Sequence, residues 1–416
     1  MKHLTSQWRQ TALAAVIAVA LPLNAAADST AGDDTYKALK SQVEMLQQQL
    51  QQIQETLKQY EQQTVTNEEV QELKQELAEV ASLQSEWKNT DSVVHLAGYG
   101  DTTYSDKEGS PGAFSGARFN PIFHYQYKDL LMLGAEMAIE VEDDGGTSTE
   151  LEYTTIHLFA TDYLAVGGGK FLSPTGQFRQ NIHPSWINKL PTAPSGFGHD
   201  QAAPISEVGL QGMGGFPVAG LQINYGAYVG NGPVLEIDAA NGEIEAVEAN
   251  GRTSNDDDKL VYGGRLGLTP WPNSEIGVSF ATGEVAGEDE KNNATRDYDV
   301  YGADAAYKWR NLGLRGEFIK QKVGSAGSSA APNSASWQAW YAQAAYRFMP
   351  TNFEGVVRYS DYDANLKNQD QEQWALGINY LFAPNAMAKL AYNFNDGKNN
   401  SNADDNAFQV QFAYGF

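Results

Sequence analysis

The sequence predicts an all-β transmembrane barrel of 16 antiparallel strands, preceded by an N-terminal helical coiled coil, and three observations carry that prediction. From Val93 onward, segments of about ten residues alternate apolar with polar or small side chains, the period of a strand with two unlike faces. The connections between these segments alternate between short and long. The one strongly apolar run among the 416 residues lies at the start, so the rest offers no helix able to cross a bilayer.

Composition narrows the classes first. With 28 Lys+Arg against 52 Asp+Glu the formal charge is −24, and Cys is absent. A disulfide-stapled fold and a thiolate metal site are excluded, and so acidic a chain has no basic face for nucleic acid. The 42% hydrophobic content excludes a disordered polyelectrolyte.

Residues 1–27 read as a signal peptide. Lys2, His3 and Arg9 precede an apolar stretch from Thr11 to Leu21, and Ala25 and Ala27 fit cleavage before Asp28. The alternative, a membrane anchor, would need a run of roughly 20 residues.

Residues 28–92 read as a periplasmic coiled coil and linker. Tyr36, Val43, Leu50 and Leu57 form one seam row, and Leu39, Leu46, Ile53 and Tyr60 the other. Glutamines fill the positions between, good helix formers that are too polar for a globular core. The pattern lapses at Thr64 to Thr66 and resumes one residue out of register at Val70, where Thr66 and Glu69 have capping-box spacing. Leu39, Val43, Leu46, Leu50, Ile53 and Leu57 must be covered, by other subunits or by a hairpin within the chain.

Residues 93–416 supply the barrel, with strands predicted at 93–105, 115–127, 130–141, 150–160, 163–171, 205–213, 219–229, 259–269, 274–283, 298–308, 311–321, 336–348, 352–361, 371–382, 386–395 and 406–416. Seven short turns and eight long loops then alternate, which leaves both barrel ends at the short-turn side. Closing such a sheet in lipid removes the edge that would leave N–H and C=O groups unpaired. Tyr125, Tyr127, Trp309, Phe348, Tyr380, Phe382, Tyr414 and Phe416 near the short-turn ends suit an interfacial girdle. A soluble sandwich or solenoid is the alternative, and it would bury the same rows in a core.

An export signal, a coiled coil and a barrel ending in an aromatic-alternating strand resemble the outer-membrane porins of Gram-negative bacteria. The coiled-coil prefix is similar to the phosphate-selective and DcaP-like porins. Phe408, Val410, Phe412, Tyr414 and Phe416 resemble the terminal signal read by the barrel-assembly machinery. The resemblance implies a homotrimer in the outer membrane, in contact with lipid and lipopolysaccharide, whose water-filled barrels pass small hydrophilic solutes through a constriction at the third external loop. It calls for no cofactor. The lysine cluster of the phosphate-selective members is missing here, so phosphate specificity is not carried over.

That loop, 172–204, holds Pro174, Pro184, Pro191, Pro194 and Pro204 with Phe178, Trp186, Leu190 and Phe197 between them, a mix suited to packing against a wall. Lys170, Arg179 and Lys189 outweigh Asp200 and would draw anions, unless they serve only to pin the loop to inward carboxylates. The fourth loop, 230–258, is acidic, and its carboxylates read as a solvated surface. Strand parity points Arg118, Arg265, Lys308, Arg315, Arg347, Arg358 and Lys389 inward with Glu136, Glu140, Glu275, Asp304, Glu317 and Glu354. No nucleophile elbow or metal-ligand spacing appears, which makes an outer-membrane hydrolase a minor alternative. The main contenders are a diffusion channel and a structural barrel whose coiled coil contacts periplasmic or cell-wall partners.

Overall fold

A computed structural model describes residues 91–416 apart from Asp256, Asp289, 291–293 and Asn400. The signal peptide and the coiled-coil seam lie outside the described residues.

The barrel strands are β1 (Ser92–Lys107), β2 (Ala113–Tyr127), β3 (Leu131–Val141), β4 (Thr147–Thr161), β5 (Leu164–Leu172), β6 (Ser206–Val218) and β7 (Leu221–Gly230). A small separate hairpin follows, β8 (Val234–Asp238) and β9 (Glu243–Glu248). The wall continues with β10 (Val261–Thr269), β11 (Ser274–Val285), β12 (Arg296–Trp309), β13 (Leu312–Val323) and β14 (Ala335–Arg347). It is completed by β15 (Phe353–Asp363), β16 (Gln371–Ala383), β17 (Ala386–Gly397) and β18 (Ala407–Gly415). Sixteen strands form one closed sheet in which each pairs antiparallel with its chain neighbour, β7 with β10 across the hairpin, and β18 with β1.

Each of the sixteen predicted segments coincides with a barrel strand. The differences lie at the ends: β4 begins at Thr147 and β6 runs on to Val218. Ladder hydrogen bonds continue past the membrane-facing stretch, where no lipid demands alternation. The turn after β6 is therefore Ala219-Gly220, both left-handed (φ 51° and 84°), the pair of positive angles that tight hairpins need.

One physical division explains the wall. Outward side chains such as Leu266, Val278, Phe280, Leu376, Ile378 and Phe412 are about half exposed, while their inward neighbours Arg358, Asn379, Lys389 and Gln411 are buried. A continuous apolar exterior over a polar interior is the arrangement lipid stabilises and water does not. At the short-turn end Tyr346 packs on Phe348 (5.2 Å) and Phe353 on Tyr380 (5.0 Å). Farther up the wall Tyr359 sits between Trp340 (5.2 Å) and Trp374 (5.0 Å), a second aromatic group that the alternation alone did not single out.

The chain ends seal the seam. Phe416 N donates to Gly98 O (2.9 Å), Gly98 N donates to Phe416 O (3.1 Å), and the Phe416 ring stacks on Phe119 at 6.0 Å. Phe412, Tyr414 and Phe416 lie on the outer face of this closing pair, in register with β1 and β17.

Candidate functional site

The connection between β5 and β6, called L3 here, turns inward rather than outward. Gly176 N donates to Ser279 Oγ of β11 (3.2 Å), and Phe178 N donates to Glu317 Oε2 of β13 (3.0 Å). Arg358 of β15 donates to Thr192 O and Ala193 O, both at 3.0 Å, and Asn379 of β16 donates to Lys189 O at 2.9 Å. Lys389 of β17 donates to Ser185 O and to Gln411 Oε1. At the far side His183 Nε2 lies 3.7 Å from Glu136 of β3, whose carboxylate also accepts from Tyr99 OH at 2.8 Å. L3 therefore crosses the lumen and is held on walls that are distant in sequence.

Local chemistry explains why L3 can lie there. Its apolar anchors fill wall sites: Leu190 packs with Ala345, Val356, Ala375 and Ala391, and Trp186 packs with Leu381, Met387 and Ala413. Phe178 and Phe197 meet Tyr341 edge-on at 6.4 and 5.1 Å. Gly176 (φ 77°) rests so close on Glu317 that a Cβ there would overlap the carboxylate.

The cations singled out in the sequence fall into three groups. Arg118 and Arg265 are matched within the wall: Arg118 is 3.3 Å from Asp101 and 3.6 Å from Glu140, and Arg265 is 2.6 Å from Asp304 and 2.9 Å from Glu275. Arg358 and Lys389 are buried beneath L3, and Lys189 reaches Glu354 at 3.2 Å. Arg315 and Arg347 remain, with Lys308. Together with Lys189, Arg310 and the single carboxylate of Glu354 they line a cavity of about 450 Å³ toward the short-turn end.

Three expectations are corrected. Lys170 does not face the opening. It shares the Val166 side of β5, opposite the buried Phe171, and its ammonium lies 3.9 Å from Glu150. Arg179 is buried inside L3 and donates to Phe197 O at 3.1 Å, so it braces the loop's own fold. Burial lowers its pKa from the usual guanidinium value. The fourth loop is not merely solvated: β8 and β9 bury Leu235, Ile244 and Val247 in a cluster with Phe178, Phe197, Val261, Tyr298 and Trp337. Asn241-Gly242 between alternating apolar residues was the available signal for that hairpin, and the acidic composition masked it.

The lumen thus has two unlike sides. Toward the long-loop end of β10–β15, inward Val261, Val285, Val300, Ile319 and Trp337 form an apolar core with L3 and the β8–β9 hairpin. Along β4–β7 a cavity of about 750 Å³ runs from Pro174, Gln180 and Asn181 of L3 to the Asp162-Tyr163 turn. Asp101, Tyr99, Asn379 and Gln411, which hold the wall and L3 together, were not singled out beforehand, although they occupy ordinary inward positions. Among the described residues no group of three or more His, Asp or Glu is placed to hold a metal ion.

A closed sixteen-stranded barrel with an apolar exterior and a third loop folded inside defines the class of outer-membrane channel proteins. The chain belongs to the Gram-negative porin family, whose model matches residues 78–400. Among solved structures it is similar in fold to the anion-selective porin of Comamonas acidovorans, at 16% identity and TM-score 0.54 over 78% of this chain and 100% of that one. It is similar also to Salmonella typhi OmpF in complex with daunomycin, at 13% identity and TM-score 0.55 over 79% and 99%. The trimer form of OmpT from Vibrio cholerae gives 12% identity and TM-score 0.53 over 78% and 99%. No curated protein matches the sequence. The protein is accordingly an outer-membrane barrel of the porin family.

Proposed function

We propose that the protein passes small hydrophilic solutes through an opening between L3 and the β4–β7 wall, with a lean toward anions set below L3. The observation that carries this reading is the chain of L3 contacts from Ser279 and Glu317 across to Glu136, which narrows the lumen from one side. The anion preference rests on Lys308, Arg315 and Arg347, which share their cavity with Lys189 and one carboxylate, Glu354, while the Arg310 guanidinium lies over the outward Trp309 ring. Such an unbalanced wall raises the local concentration of anions in a confined aqueous space. Arg179, buried in the loop, contributes no field of this kind at the opening. The outer row is covered by lipid and lipopolysaccharide, and part of it by other copies in a homotrimer. The predicted coiled-coil seam around Leu39 to Leu57 would reinforce that trimer if its partners are other subunits.

Reversal potentials across a bilayer in a KCl gradient test the reading. The expected sign is that of an anion-leaning channel, moved toward cation preference by the double variant Arg315→Gln/Arg347→Gln. An unchanged potential in that variant contradicts the assignment. A second reading, a structural barrel with periplasmic partners, draws on the apolar core that fills one side of the mouth. It predicts no ion current at all.

A further inference from the structure

We propose that the recess on the β4–β7 wall is a binding subsite for neutral polyhydroxylated solutes of saccharide size. The proposal rests on the channel reading and adds a ligand class to it. Part of the recess is space that a side chain would otherwise fill: Gly226, opposite Met213 across β6 and β7, lines it, and a Cβ there would meet only Pro174 at 3.8 Å. Its volume of about 750 Å³ is in the range of sites that enclose small organic ligands.

Most polar groups that line it are neutral, amides together with the hydroxyls of Tyr153, Thr155 and Thr161. Gln211 Nε2 is 2.9 Å from His157 Nε2, Gln180 Nε2 donates to Leu172 O at 3.4 Å, and Asn181 Nδ2 donates to Gln177 Oε1 at 3.5 Å. Each bond engages the amide nitrogen once and leaves the amide its oxygen as an acceptor and a second N–H as a donor. Hydroxyl groups, which both donate and accept, match such a surface. The one cation of the recess is committed: Arg265 bonds Asp304, Glu275 and Asn224 Oδ1. Its partners are equally committed, which leaves Asp162, exposed at the turn that ends the recess, as the one carboxylate along it outside this network. Tyr153 and Phe159 add aromatic surface beside the amides, suited to the C–H faces of a sugar ring.

Maltose added to single channels in 1 M KCl tests this. The expected result is a saturable fall in current beyond the fall in bulk conductivity, with the half-blocking concentration raised about fivefold by Gln211→Leu, the cost of one neutral hydrogen bond. Asn181→Ala in L3 gives an independent reading if Gln211→Leu does not assemble. Arg347→Gln, in the other cavity, should leave the block as in the natural protein. Current that follows bulk conductivity alone, or a block that Gln211→Leu and Asn181→Ala both leave intact, overturns the subsite while the channel stands. Block by spermidine but not maltose overturns it in favour of a cation site. A silent barrel overturns the channel reading itself.

Discussion

The backbone N–H of Phe178 donates to the Glu317 carboxylate at 3.0 Å across 139 positions of sequence, and this bond fixes the near end of L3 to β13. Replacing Glu317 by Leu leaves that buried N–H without an acceptor, a loss of about 1–3 kcal/mol. The loop should detach locally while the barrel stays closed. Single-channel traces of Glu317→Leu should show added open-state noise and a larger mean conductance, and traces identical to the natural protein would count against loop docking there.

Arg179 and Arg347 should behave as opposites. Arg179 is spent on Phe197 O within the loop, whereas Arg347 lines the basic cavity near Glu354. Arg179→Gln is expected to weaken the loop's order and leave the reversal potential nearly unchanged, because no lumenal charge is lost. Equal shifts from Arg179→Gln and Arg347→Gln would put the field back at the loop.

The strand positions were legible because lipid imposes a rule on one face of every strand, and a rule obeyed sixteen times is visible without any partner. Which cation faces water was not legible. Lys389 is spent on Ser185 O, 204 positions away, and Arg358 on Thr192 O, 166 positions away, and nothing local marks either pairing. Lys170 was misplaced for a related reason: its glycine-rich strand offers little alternation to assign a face. The β8–β9 hairpin was obscured because its three buried anchors, Leu235, Ile244 and Val247, stand among carboxylates that stay at the surface.

The hairpin contributes to the mouth and not to the barrel, since β7 pairs directly with β10. Ile244→Asp should undock it, because the buried carboxylate finds no partner among Phe178, Val261 and Trp337. Limited proteolysis is expected to cut near Asn241 much faster in that variant, with resistance of the barrel to SDS retained. Loss of both together would mean that the hairpin is needed for assembly.

On the outer wall, Ile378 stands between Leu376 and Tyr380 on the exposed side of β16. Arg at this mid-wall position should cost about 2–4 kcal/mol of stability in lipid. Urea unfolding from vesicles reads that loss directly, and a change below about 0.5 kcal/mol would argue that the face is wet.

The absence of Cys from the natural chain makes single-cysteine variants the most direct test of where the path runs. Thr155→Cys and Gln211→Cys line the open side, and Ile319→Cys lies in the apolar core with the hairpin. A charged methanethiosulfonate added to conducting channels should cut the current of the first two within minutes and leave Ile319→Cys untouched. Rapid block of Ile319→Cys with no effect at Thr155→Cys or Gln211→Cys would contradict the account.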